Sequence, residues 1–104
     1  MPTESRILSF SKNEVLEALS DYCIGAGRRL PDGGSNRLML TQDTKVRVAL
    51  NSAEDKQEIN FTEGEVAAAL VMHCIKQRIP MPRRAIKSLE VVHETLSLHL
   101  RMEP

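Results

Sequence analysis

The chain has 104 residues, of which 41% are hydrophobic and 27% charged, a composition typical of one folded domain and not of a disordered segment. Its 14 basic and 14 acidic residues give a formal net charge of zero, and only 3% of the residues are aromatic. Both features weigh against nucleic-acid binding, because such proteins usually have a basic excess and stack bases on exposed rings.

The first half of the chain predicts a strand, a helix and a hairpin. Residues 6–10 form a short extended segment, and Ser11 with Glu14 then has the spacing of a capping box. Apolar residues recur at helical spacing after this box, and glycines end the helix. After a loop rich in Gly, Pro and Asp, apolar residues alternate over 38–50, as in a β-hairpin.

The second half predicts the same order of elements. Residues 57–61 form a short strand, and a second capping box, Thr62 with Glu65, begins a helix that runs to about Arg78. The Ile-Pro-Met-Pro segment ends this helix, since proline disfavours helix in the residue before it. Alternating apolar residues over 89–102 then predict a second hairpin.

The two halves also match residue by residue. Shifting the chain by 51 residues gives ten identities in 41 aligned positions, where chance gives about two or three. We therefore predict a tandem (β)αββ duplication, with repeats at about 6–50 and 57–102 of a single domain. The expected fold is a two-layer α+β architecture, with two helices on one face of an antiparallel sheet and a pseudo-twofold axis between the halves.

Cysteine and histidine provide the few candidates for a metal site or a nucleophile. His73 and Cys74 are adjacent, so their side chains point about 100° apart around a helix and reach one ion only with difficulty. Cys23 and Cys74 occupy equivalent positions of the repeat, and buried cysteine commonly acts as a small apolar residue. We predict two buried thiols, no metal or other cofactor and no assignable catalytic residue, which makes an enzyme the least favoured interpretation.

The cellular location is inferred from what the sequence lacks. No segment has the apolar length of a transmembrane helix, and the N-terminus has no basic-then-apolar signal pattern. With two cysteines and nothing that indicates export, we expect a soluble protein of the reducing cytoplasm.

A group of basic residues follows each predicted helix, and we call these two groups the basic loops. They consist of Arg28 and Arg29 in the first half and of Arg83, Arg84 and Lys87 in the second. Two such loops related by a pseudo-twofold axis would be able to straddle a phosphate backbone. The alternative, ordinary solvated loops, is favoured by the zero net charge.

The second predicted helix is apolar on two sides, whereas a helix lying on a sheet needs only one apolar face. Its second apolar face, which we call the outer stripe, consists of Ala68, Val71, Met72 and Ile75. Either the N-terminal segment or the other helix covers this stripe, or it is the interface of a homodimer. The leading hypothesis is therefore a non-catalytic interaction or regulatory domain that acts as a homodimer or on a protein partner. A nucleic-acid-binding protein that uses the basic loops is the alternative.

Overall fold

The computed structural model describes residues 4–27, 36–42, 45–52, 58–81 and 85–102, which form two helices and six antiparallel strands. This is the α+β class that the sequence predicts. In chain order the elements are β1 (Glu4–Phe10), α1 (Lys12–Ala26), β2 (Asn36–Gln42), β3 (Val46–Ser52), β4 (Glu58–Phe61), α2 (Glu63–Lys76), β5 (Ala85–Val92) and β6 (Thr95–Met102).

Both helices begin at the predicted capping boxes. The Ser11 hydroxyl accepts a hydrogen bond from the Glu14 amide at 3.2 Å, and the Glu14 carboxylate accepts one from the Ser11 amide at 3.0 Å. Thr62 and Glu65 make the same reciprocal pair, with both bonds at 3.1 Å. Each box satisfies two amides that a helix start would otherwise leave without partners.

The helices end in left-handed residues of different chemistry. Gly27 follows α1 with φ 72°, and Gly25 remains inside the helix. α2 ends at Lys76. The left-handed residue that follows it is Arg78, with φ 59°, and not a glycine. The Ile79 amide donates to the Cys74 carbonyl at 2.8 Å, which is the closing bond of a Schellman motif.

The strands form two three-stranded sheets, ordered β1-β6-β5 and β2-β3-β4. Both predicted hairpins are present, and each sheet adds a strand from the other half of the chain to its hairpin. The two sheets meet where the Val91 amide of β5 donates to the Gln42 side chain of β2 at 2.7 Å. The sequence predicts one antiparallel sheet, whereas the strands form two. The duplication and its pseudo-twofold symmetry stay predictions.

The core lies between the helices and the sheets and is almost entirely aliphatic. Each helix contributes a valine, an alanine, a leucine and a cysteine at equivalent positions, as the sequence predicts. In β6, Leu96, Leu98 and Leu100 are all buried, as the alternation predicts, but Ser97 between them is also buried. Phe10 and Phe61, the last residues of β1 and β4, complete the core just before each helix. Neither helix in the described residues has the length and hydrophobicity needed to cross a bilayer.

Candidate functional site

The outer stripe lies on the solvent side of α2. Ala68 is exposed, Met72 is 50% exposed and Ile75 is 63% exposed, whereas Val71 is half-buried against the core. Among the described residues, the rest of the chain therefore covers only Val71 of the outer stripe. The other three side chains present an apolar surface to the solvent.

The corresponding face of α1 is polar, with one exception. Glu17, Ser20 and Asp21 stand where α2 has three residues of the outer stripe. Ser20 donates to the Leu16 carbonyl at 2.8 Å, a bond that a hydroxyl often makes to its own helix. The exception is Ile24, which lies 51 positions before Ile75 and is 77% exposed. Both helices thus present an isoleucine to the solvent near their C-terminal ends.

The two helices pack side by side, and the outer stripe continues into their junction. Beside Met72, the residues Tyr22, Gly25 and Ala26 of α1 line a small, mainly apolar cavity of about 190 Å³. The Lys76 ammonium donates to the Asp21 carboxylate at 2.9 Å across the same junction, and this bond raises the pKa of Lys76. The apolar surface therefore ends at an ion pair.

A second cavity, which we call the His73 cavity, lies between the start of α1 and the end of α2. It measures about 410 Å³ and is lined by Phe10, Glu14, Glu17, His73, Gln77 and Ile79. The His73 ring is only 6% exposed and lies edge-on to the Phe10 ring, with the centroids 6.3 Å apart. Its Nδ1 atom is buried without a hydrogen-bond partner. Sequence reasoning considered His73 only as a metal ligand and missed this position.

Both cysteines are fully buried thiols, as predicted. Burial raises the pKa of the Cys74 thiol; Arg6 opposes the shift, and Glu14 adds to it. A thiol with a raised pKa is a poor nucleophile at neutral pH, because the thiolate is the reactive form. The described residues contain no group of three or more His, Cys, Asp or Glu side chains placed to bind a metal ion.

Most of the basic loops lies outside the described residues. This applies to Arg28, Arg29, Arg83 and Arg84. Lys87 does not lie in a loop, contrary to the prediction, because β5 begins at Ala85; it is exposed on that strand, and its ammonium donates to the Ala85 carbonyl at 3.5 Å. The nucleic-acid hypothesis therefore stays a prediction from the sequence.

Comparisons with protein-family models, with curated proteins and with solved structures find no match for the chain. The proposed function therefore depends on the residues of the outer stripe.

Proposed function

We propose that the protein is a non-catalytic interaction or regulatory domain that acts as a homodimer through the outer stripe of α2. The observation that supports this proposal is the exposure of Met72 and Ile75 on the solvent side of a helix whose opposite side already packs in the core. A helix on the surface of a monomer needs only one apolar side. A second apolar side that faces solvent is typical of a binding surface.

A second copy of the chain is the partner that these residues fit best. In a twofold interface the same patch meets itself, so α2 of one protomer would lie against α2 of the other. The small Ala68 side chain permits close approach of the two helices, and the flexible Met72 side chain fills irregular gaps. Because the formal net charge is zero, two copies approach without long-range repulsion.

The exposed area sets the expected strength of this dimer. Complete burial of an exposed Ile or Met side chain stabilises by about 1.5–3 kcal/mol, and Met72, Ile75 and Ile24 are between half and three-quarters exposed. Over both protomers this gain is on the order of 10 kcal/mol, against an association cost of about 4–15 kcal/mol. At the lower end of this cost the net gain is about 6 kcal/mol, so we expect a weak, reversible dimer with a dissociation constant of roughly 40 μM.

Sedimentation at a series of protein concentrations tests the proposal. The unmodified chain should change from monomer to dimer over about 1–500 μM. The double variant Met72→Glu with Ile75→Glu should remain a folded monomer, because both side chains are exposed in the monomer and the new charges would face each other in the dimer.

Ile86→Glu is the matched control, since Ile86 is 57% exposed but lies on β5, opposite the exposed Arg101 of β6, and belongs to neither helix. It should dimerise like the unmodified chain. If the unmodified chain sediments as a monomer at the highest concentration, or if Ile86→Glu weakens the dimer as much as the double variant does, the proposal is wrong.

A further inference from the structure

The small apolar cavity between the two helices, which we call the junction cavity, is continuous with the outer stripe. Its lining residues are Tyr22, Gly25 and Ala26 of α1 and Met72 of α2, and Met72 also belongs to the stripe. With a volume of about 190 Å³, the cavity is smaller than typical small-molecule sites of roughly 300–1,000 Å³. Its size and its mainly apolar lining fit a single aliphatic side chain.

Gly25 keeps the junction cavity open to the surface. A Cβ atom added to this residue would have no neighbour within 4 Å beyond its own stretch of helix. Gly25 and Ala26 are both exposed, so the cavity is accessible to a group from outside the chain. Because glycine is unfavourable inside a helix, the stability of α1 does not account for its presence at this position.

The corresponding positions of the other half close the helix junction. At the shift of 51 residues, Gly25 corresponds to Lys76, and Met72 corresponds to Asp21. The Lys76 ammonium donates to the Asp21 carboxylate at 2.9 Å and joins the two helices. The helix pair thus accommodates a long side chain at this type of position, and packing within one chain does not require the space over Gly25.

A second copy of the chain presents a side chain that fits this space. Ile75 is 63% exposed and lies three residues, less than one helical turn, after Met72 on the outer stripe. A twofold axis that passes between Ile75 and Met72 would bring Ile75 of each protomer opposite the junction cavity of the other. The branched Ile75 side chain has few rotamers, so its ordering costs less entropy than that of a longer, flexible side chain.

We propose that the junction cavity receives the Ile75 side chain of a second copy, so that the dimer contains two identical knob-in-hole contacts. This inference rests on the proposed dimer and identifies the contact that sets its geometry. In coiled coils each knob enters a hole formed by four residues, and the junction cavity also has four lining residues. Because these residues come from both helices, α1 is part of the interface.

Filling the cavity tests this contact. Gly25→Leu places a side chain in the open space, and leucine is favourable in a helix, so the monomeric variant should resist urea at least as well as the unmodified chain. Sedimentation should show a dimer at least about tenfold weaker, because both Ile75 contacts are lost. Asn13→Leu, an equally large substitution at an exposed position near the start of α1, is the matched control and should dimerise like the unmodified chain.

Shortening the knob identifies the residue that enters the cavity. In the Gly25→Leu background, Ile75→Ala should recover at least about threefold of the affinity, because the smaller side chain relieves the clash with the new leucine. Ile24→Ala shortens the other exposed isoleucine of the helices and should recover none.

The outcomes separate this inference from the dimer on which it rests. If the unmodified chain dimerises but Gly25→Leu dimerises equally well, or Ile24→Ala recovers as much affinity as Ile75→Ala, the assignment of Ile75 to the junction cavity is wrong and the dimer stands. Equal weakening by Asn13→Leu would also overturn the assignment. An unmodified chain that stays monomeric overturns both proposals.

Discussion

Two glycines near the end of α1 should respond in opposite directions to the same substitution. Gly25 is helical, whereas Gly27 has a φ of 72° in the left-handed region, and a Cβ atom added at either position meets no other atom within 4 Å. Steric clashes with other residues therefore contribute to neither substitution, and the backbone conformation alone determines the change in stability. Gly25→Ala should stabilise the protein by about 0.5–1 kcal/mol, because alanine loses less conformational freedom in a helix.

Gly27→Ala should instead destabilise the protein. An L-residue in the left-handed region costs about 1–2 kcal/mol, and the reduced entropy of the unfolded chain returns about 0.4–1 kcal/mol of this. The net loss is about 0–1.6 kcal/mol by these values, with a midpoint of about 0.8 kcal/mol. Urea unfolding of both variants at a single protein concentration measures the two changes in free energy. Changes of the same sign would refute the reasoning, because the two positions differ only in backbone conformation.

Four further predictions concern other parts of the chain. Arg78→Gly should stabilise the end of α2 by about 0.5–1 kcal/mol in urea unfolding, since glycine relieves the strain of φ 59°. Cys23 and Cys74 should react slowly with a thiol reagent until the protein unfolds. The pKa of Cys74 is raised in the folded state, so the stability that this thiol contributes is complete below the ordinary value of 9.0 and is lost as the pH rises further. The stability of Cys74→Ala should therefore depend less on pH in this alkaline range. If the basic loops bind phosphates, replacing their four arginines by alanine should weaken binding to generic DNA or RNA and flatten its salt dependence without changing the melting temperature. Lack of binding by the unmodified chain at low salt would exclude that function.

The elements that the sequence predicts correctly depend on local interactions. Each helix start is set by residues three positions apart, as with Ser11 and Glu14, and each hairpin joins neighbouring segments. The core face of each helix follows from the spacing of its apolar residues. Such features are readable because the interacting residues are close in the sequence.

The features that the sequence did not reveal depend on distant contacts. The pairing of β1 with β6 joins opposite ends of the chain, and periodicity within a strand does not identify its partner. The burial of His73 depends on Phe10, which reaches it from β1. Likewise, the spacing of Met72 and Ile75 identifies a stripe, but how far Met72 is exposed depends on where α1 lies. The sequence therefore identifies the site residues but not the residues that surround them in the fold.

One pair of equivalent positions shows how the two helices differ in surface chemistry. Glu17 of α1 lines the His73 cavity, and Ala68, 51 residues later, belongs to the outer stripe of α2. A carboxylate at the α1 position therefore faces the end of α2, while a methyl group at the α2 position leaves that helix apolar toward solvent. Because the cavity and the stripe share no residue, a substitution at Glu17 changes the charge of the cavity and leaves the stripe intact. The two halves of the chain thus use the same helical frame for two surfaces of different chemistry, and each surface can be tested without altering the other.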